Sequence, residues 1–380
     1  MAGLVLNDLR RLVIKIGSSL LIDGNGQVNR SWLCDLAEDI SGFRESGQQV
    51  LIVSSGAVAI GGRVLGLNTQ RARLEELQAA AAAGQVQLVH AWQEALARHD
   101  IPAAQVLLTP DDTEVRRRFL NARNTLEKLL DFRVIPVINE NDTVATEELK
   151  YGDNDRLAAR VAQIVMADGL LILSDVDGLY TADPRNNPQA EHVPLVSVIS
   201  DEMFAMAGNS SGADGSGGMT TKLQAAQIAT HAGCATIIAS GTLERPLRSL
   251  ANGGKCTVFS SEGTPASARK QWLAGMLDVC GELQLDAGAV AALRNGNSLL
   301  PVGVVNVLGS FRRGDAVTLV DPDGVELGRG LAAYTSEEAA AIKGCRSDRI
   351  ASALGYCGRA VLVHRDDLVV FSSSQKAETA

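Results

Sequence analysis

Residues 134–155 read VIPVINENDTVATEELKYGDND. Val134 to Ile138 is a short apolar run rich in β-branched side chains, and it stops abruptly at Asn139-Glu140-Asn141-Asp142. Such a run, closed by turn-forming residues, predicts a strand buried on both faces, as in a parallel sheet. In open α/β sheets ligands bind outside the carboxyl ends of the strands, and the polar burst falls there. A second cluster, Gly152-Asp153-Asn154-Asp155, begins ten residues after Asp142. Two acid-and-amide clusters on one loop can hold a small molecule with ammonium and carboxylate groups. They can also organise a metal, or lysines around a phosphate. Asn, Asp and Gly are equally the ordinary residues of turns and caps, so either cluster alone says little. Both at one strand end favour a site.

Working outward, apolar runs at Leu12 to Ile16, Val50 to Ser54, Val106 to Leu108, Leu170 to Ser174 and Ala235 to Ala239 alternate with alanine-rich helical stretches, one of them around Trp32 to Ser46. This βαβα rhythm predicts a mainly parallel sheet with helices on both faces. Near residue 260 the composition changes. Residues 260–269, SSEGTPASAR, are small and polar and read as a linker. Beyond them Val302 to Val307, Ala316 to Val320, Val325 to Leu327 and Ala360 to Val363 are short and strand-like, punctuated by Gly303, Gly309, Gly314, Gly324 and Gly328. That pattern predicts a small, mostly β domain. The expected divisions are a first domain over 1–262, a linker over 263–277, the β-rich domain over 278–370 and a polar tail over 371–380.

Composition narrows the classes. The 380 residues are 46% hydrophobic and 21% charged, ordinary for a globular chain. No stretch approaches the roughly 18 to 20 uncharged apolar residues of a membrane helix, and the first residues lack the pattern of a signal peptide. Six cysteines are scattered without C-x-x-C pairs, and five histidines form no ligand-spaced pair. This argues against zinc and a disulfide framework, and for a reducing cytoplasm. The net charge of −9 disfavours bulk attraction to nucleic acid or anionic membrane.

Four glycine-containing junctions carry phosphate chemistry. In LVIKIGSSLL (12–21), Lys15 shares a strand face with Val13, opposite Leu12, Ile14 and Ile16. A lysine on a buried strand is costly unless an anion meets it, although one at a strand end can reach solvent. Gly17-Ser18-Ser19 follows, small enough for backbone N–H groups to approach phosphate oxygens. In VLIVSSGAVAIG (50–61) a strand enters Ser54-Ser55-Gly56-Ala57 and a small-residue helix, an anion-binding start or a plain Ser cap. In LLILSDVDGLYTADPR (170–185) Ser174-Asp175 ends a strand; Asp177-Gly178 borders a nucleotide or marks a β-hairpin. In GADGSGGMTTKLQAAQIA (212–229) a glycine loop opens a helix beside Lys222, suited to polyphosphate, or is a surface loop. The Walker A pattern and the protein-kinase motif set are absent from the chain. Two lysines, two glycine loops and a carboxylate pair are the inventory of phosphoryl transfer by positioning and charge neutralisation. An obvious general base is missing. That suits an acceptor already anionic at neutral pH, such as a carboxylate of pKa about 4.3.

The motifs KIGSS (15–19), SSGAVAIG (54–61), FLNARNTL (119–126), VIPVINENDTV (134–144), GDND (152–155), DGLYTADPR (177–185) and GSGGMTTK (215–222) together resemble the glutamate 5-kinases of the amino acid kinase superfamily. LLPVGVVNVLGSFRRGDAV (299–317) and VLVHRDD (361–367) resemble the PUA domain attached to bacterial members. The resemblance runs collinearly from about residue 10 to residue 370. It implies a three-layer α/β/α sandwich with a mainly parallel sheet, the amino acid kinase fold, plus a small mostly-β PUA domain. The implied reaction moves the γ-phosphate of ATP to the γ-carboxylate of L-glutamate, with Mg²⁺ required and proline as feedback inhibitor, and opens proline biosynthesis. Implied too are a homo-oligomer (dimer or tetramer) and, as a candidate partner, γ-glutamyl phosphate reductase.

Carried over by position, Lys15 would contact the transferring phosphate, Lys222 would neutralise the β/γ oxygens, and Asp155, with Asp153 beside it, would hold both lysines. Ser55, Asp142 and Asn154 match glutamate-binding positions, with Gly56 and Asn139 as neighbours. Ser174, Asp175 and the segment Ser216, Gly217, Gly218, Met219, Thr220, Thr221 and Lys222 would bind ATP along with Lys15; metal ligands are not assigned. Ser174 and Ser216 stand where the family commonly has Thr, and each retains a hydroxyl. N-acetylglutamate, aspartate, carbamate and UMP kinases would share the lysines and glycine loops, but the two acid-and-amide clusters and the C-terminal domain argue against each. The PUA-like segment also raises RNA binding. Residues 263–380 hold 12 Lys+Arg against 13 Asp+Glu, without the basic excess of a dedicated RNA binder.

Overall fold

Leucine and isoleucine alternate with valine and lysine in RLVIKI, and the two sets go to opposite faces of a sheet. The computed structural model describes residues 6–24, 26–145, 153–207, 218–261, 263–275 and 279–371. The chain divides into two units, Met1–Pro265 and Ala266–Ala380. Strands of the first are β1 (Arg11–Ile16), β2 (Gln49–Val53), β3 (Ala103–Leu108), β4 (Ile135–Glu140), β5 (Gly169–Ser174), β6 (Leu179–Tyr180), β7 (His192–Val193), β8 (Leu195–Val196), β9 (Ala235–Ser240) and β10 (Cys256–Phe259). Among the described residues eight of them form one sheet in the order β3-β4-β2-β1-β5-β9-β10-β8. Every neighbouring pair is parallel except β9 with β10.

Period-two alternation builds the layers. Leu12, Ile14 and Ile16 of β1, with Leu171 and Leu173 of β5, join one core. That core includes Leu36 and Ile40 of α1 (Arg30–Glu45) and Trp92 of α3 (Leu74–Ala97), which follows α2 (Ala57–Val64). Val13, Leu51, Val53, Leu170 and Ile172 face the other way, onto α4 (Asn154–Ile164) and α5 (Met219–His231). Each buried Leu or Ile contributes about 1.5–3 kcal/mol. Two packed faces make the expected three-layer sandwich. Lys15 pairs in register with Val53 and Ile172, so its face is the one covered by α4 and α5.

Helices α2 and α3 meet backbone to backbone. A Cβ added at Gly61 would lie 1.7 Å from the Ala80 carbonyl oxygen, and one at Gly84 would lie 1.9 Å from that of Ala57. The alanine run of α3 is therefore a contact surface, with Ala80 and Ala81 buried.

Two expectations shift. Strand β4 runs past its apolar stretch to Glu140, because Asn139 and Glu140 pair with Leu107 and Leu108 of β3. Asp177-Gly178 is no tight hairpin. Gly178 leads into β6, which pairs antiparallel with β7 across residues 181–191.

In the second unit β11 (Gly281–Leu285), β12 (Val304–Gly309), β13 (Ala316–Val320), β14 (Glu326–Leu331) and β15 (Leu368–Val370) form a sheet ordered β12-β11-β13-β14-β15. Only β11 and β13 pair in parallel. Phe311, Leu319, Tyr334, Ile342 and Leu362 anchor its core. The stretch Ala360 to Val363 is not a strand; it contributes an isolated bridge, Val363 to Leu299. Gly281–Leu285 was not expected as one, since GELQL is too short and mixed to stand out. Residues 263–277, expected as a linker, carry helix α6 (Pro265–Ala274).

The glycine contact gives a stability test. Gly84→Ala forces α2 and α3 apart and lowers stability by roughly 2–3 kcal/mol. Gly42→Ala, on α1 with nothing within 4 Å of the added Cβ, raises it by about 1 kcal/mol. Thermal unfolding of the two variants against wild type checks the opposite signs.

Candidate active site

The carboxyl ends of β1, β2, β4 and β5 open on one cleft of about 1070 Å³. Gly17, Ser18 and Ser19 follow β1; Ser55 and Gly56 follow β2; Asn139, Glu140 and Asp142 close β4; Ser174 and Asp175 close β5. Gly56 takes φ 95°, left-handed backbone that glycine adopts without a Cβ penalty, and this turns the chain from β2 into α2.

Lys15 and Lys222 line the cleft, 5% and 4% exposed, and converge on Asp155, which is fully buried. Lys15 Nζ lies 2.5 Å from Asp155 Oδ1, and Lys222 Nζ lies 3.2 Å from Oδ2. Three elements bring them together: the α4/α5 face of β1, the first turn of α4 and the first turn of α5. Asp153 caps α4, its Oδ1 accepting from the Asp155 N–H at 2.7 Å, which fixes where the Asp155 side chain starts. Burial opposes ionisation of Asp155. The ammonium charges of Lys15 and Lys222 outweigh it and hold the carboxyl below the usual carboxylate range. The three groups among themselves sum to one positive charge. No side chain caps the first turn of α5 among the described residues, so its N–H groups and Lys222 favour an anion at the same end.

Amides line the opposite side. Asn154 Nδ2 donates to the Ser54 carbonyl oxygen (2.7 Å), Asn139 Oδ1 (2.9 Å) and Ser55 Oγ (3.0 Å). Asn139 Nδ2 donates to Gln85 Oε1 at 2.8 Å. Beyond β5, Tyr180 donates to Asp177 at 2.9 Å and accepts from Lys255 Nζ at 2.6 Å, and Lys255 pairs with Asp177 at 3.2 Å. Partial burial works against ionisation of Asp177, but these bonds hold its carboxyl below the usual range. Burial, then the charge of Lys255, holds the nearby His192 imidazole below its ordinary pKa.

Of the residues singled out from sequence, Lys15, Ser55, Gly56, Asn139, Asp142, Asn154, Ser174, Asp175, Gly218, Met219 and Lys222 line this cleft. Asp155 sits behind the two lysines. Thr220 does not line the cleft, and neither does Thr221, which donates to the Gly218 carbonyl oxygen at 2.8 Å. Ser216 and Gly217 lie outside the described residues. Sequence reasoning passed over Gln78, and met Gln85 only in Ala79 to Ala83, Gly84-Gln85, which resembles the family's alanine-rich helix before a Gly-Gln pair, without giving it a role in the site. Both sit on α3, Gln78 at the cleft and Gln85 behind Asn139. Their signal was present: two polar residues seven apart, on one helix face, flanking an alanine run.

The chain matches the model of the amino acid kinase family over residues 10–240 and that of the PUA domain over residues 281–354. It is 56% identical over 362 residues to glutamate 5-kinase of Paramagnetospirillum magneticum, covering 95% of this chain and 98% of that protein. With glutamate 5-kinase of Bradyrhizobium diazoefficiens it shares 53% identity over 371 residues, 97% of this chain and 100% of that protein. Among solved structures, UMP kinase from Ureaplasma parvum aligns at a TM-score of 0.48 and 17% identity, covering 66% of this chain and 99% of that one.

The ion cluster sets a pH dependence. Asp155→Asn removes the carboxylate facing both ammonium groups and costs about 3–5 kcal/mol near neutrality. Because the folded pKa of Asp155 is depressed, its stabilisation is complete above the unfolded value of about 3.9 and is lost as pH falls through the lower folded value. Urea unfolding across pH should show a constant gap between wild type and variant above about pH 5, narrowing below about 3.9.

Proposed function

The chain belongs to the amino acid kinase family, among the glutamate 5-kinases, and from that premise we propose that it transfers the γ-phosphoryl group of ATP to the γ-carboxylate of L-glutamate. The observation that carries the reading is the buried Lys15–Asp155–Lys222 cluster at the junction of β1, α4 and α5. Phosphoryl transfer needs positive charge where the equatorial and bridging oxygens gain negative charge, and little covalent help from the protein. Lys15 and Lys222 supply that charge, and Asp155 keeps both ammonium groups aimed at one place.

A glutamate carboxylate is ionised at neutral pH, so no residue has to remove a proton before attack. One carboxylate oxygen bonds to the γ-phosphorus as the bond from that phosphorus to the β-bridging oxygen breaks. γ-Glutamyl phosphate forms and ADP leaves with the bridging electron pair. Ser174, Asp175 and the start of α5 hold the nucleotide end. Ser55, Asn154 and Asp142 hold the amino acid end, with Asp142 and Asn154 offering acceptors to its ammonium group.

Among the described residues six acidic side chains against three basic ones line the cleft. That surplus fits a divalent cation arriving with the polyphosphate, and Asp153, with a buried Oδ2 that has no hydrogen-bond partner among the described residues, would hold it. Mg²⁺ bound there supplies neutralisation of the β- and γ-phosphate charge. The product opens proline biosynthesis, a cytoplasmic role. Among the described residues no helix is long and apolar enough to cross a membrane.

Hydroxylamine traps an acyl phosphate, so ATP-dependent hydroxamate formation with glutamate, aspartate and N-acetylglutamate in parallel identifies the acceptor. Glutamate should dominate. Lys222→Ala should lower kcat by about 10²- to 10³-fold with a smaller effect on glutamate KM. Asp142→Asn should raise glutamate KM far more than ATP KM; a Lys222→Ala protein with normal kcat overturns the assignment.

Proline carries the same α-amino and α-carboxylate groups as glutamate and inhibits by occupying the same Ser55, Asp142 and Asn154 pocket. Titrated at low and saturating glutamate, it should raise the apparent glutamate KM and leave kcat unchanged. Inhibition that persists at saturating glutamate places proline elsewhere.

A further inference from the structure

Gln85 belongs to none of the groups that contact substrate in this reading, yet it is buried, 7% exposed, behind the amide side of the cleft. Backbone atoms fix how the amides ahead of it are oriented. The Glu140 N–H donates to Asn139 Oδ1 at 2.9 Å. A backbone N–H can only donate, so that atom must be the oxygen and the Asn139 amino group must face Gln85. Asn154 has its Nδ2 2.7 Å from the Ser54 carbonyl oxygen. A carbonyl can only accept, so the amino group of Asn154 is fixed as well. Both of its protons go to Ser54, Asn139 and Ser55. Its Oδ1 accepts no hydrogen bond among the described residues and is open to the cleft.

We infer that Gln85 is a positioning residue: by accepting from Asn139 it holds the Asn139–Asn154 relay in the one orientation that presents an acceptor oxygen, and so selects an ammonium-bearing substrate. This rests on the acceptor assignment above. Without an acceptor at 85 the Asn139 amino group is buried and unpaired, and the side chain turns to relieve it. Asn154 then keeps only the Ser54 carbonyl and Ser55 Oγ as acceptors, its amide is held less firmly, and its Oδ1 is presented less steadily to an ammonium group. The support behind Gln85 is rigid, since its neighbour Gly84 sits against the Ala57 carbonyl with no room for a Cβ. The relay also explains a cost. Gln85 Nε2 is buried with no hydrogen-bond partner among the described residues, which is tolerated where the other end of the amide does necessary work.

Two substitutions separate this role from packing. Gln85→Met keeps the volume and removes the acceptor, whereas Gln85→Glu keeps an acceptor oxygen. In hydroxamate assays on the full-length protein, Gln85→Met should raise glutamate KM roughly tenfold, with kcat and ATP KM within about twofold of wild type. Gln85→Glu should stay within about threefold on all three parameters. Glutamate KM unchanged in folded Gln85→Met, an equal rise in ATP KM, or Gln85→Glu as impaired as Gln85→Met would each overturn the relay. A wild type that prefers N-acetylglutamate, which lacks an ammonium group, overturns the relay as well; one that phosphorylates aspartate instead sinks the glutamate assignment only. The relay is then read on that acceptor, by the same requirement that the loss fall on acceptor KM.

Discussion

Two ammonium groups and one carboxylate buried together at the end of the central strand make the constraint around which the first unit is arranged. Taking such charges out of water costs several kcal/mol per ion, and mutual attraction repays this only when the geometry is close. The 2.5 Å and 3.2 Å contacts to Asp155 supply that geometry. It requires β1 to turn Lys15 toward α4 and α5, and both helices to begin at the same level. The alternation of RLVIKI meets the first requirement by placing Lys15 on the face of Val13. The Asp153 cap and the first turn of α5 meet the second. A hydrophobic trio would stabilise the fold as well or better, so the charges are best understood as kept for the anion they attract.

The amide side of the cleft is organised by a different force. There the decisive contacts are between backbones, Gly61 against Ala80 and Gly84 against Ala57. Close approach of α2 and α3 sets the position of Gln85 to within what a hydrogen bond tolerates. From Gln85 the orientation passes through Asn139 to Asn154 by donors and acceptors that backbone groups make unambiguous. Packing at one end of a helix pair thus becomes hydrogen-bond polarity at the substrate wall. In the proposed function the phosphate side relies on charge and the amino acid side on directionality, which suits a polyanion on one hand and a zwitterion on the other.

Much of this was legible in the residues. Period-two alternation determined the faces of β1 and β5, and βαβα order determined a mainly parallel sheet with its ligand end at the strand termini. The polar bursts after β1, β2, β4 and β5 determined which residues could reach that end. Local pattern also located most elements of the second unit, although GELQL was too short to register and Ala360 to Val363, apolar as it is, makes only a bridge.

Tertiary structure decided what depends on distance across the chain. Asn139 and Glu140 are strand residues because β3 continues beside them, and no signal within 134–155 carries that pairing. Asp155 faces Lys15 and Lys222, 140 and 67 positions away in sequence, because the sheet register and the α4/α5 packing bring three separate segments to one point. Gln85 looked like part of an alanine-rich helix and acquires its role only through Asn139, since an amide has no functional direction until the groups around it fix which end is oxygen. Periodicity and turn chemistry are local and can be read along the chain; hydrogen-bond polarity and the pairing of buried charges are relations between remote atoms, and only the folded arrangement defines them.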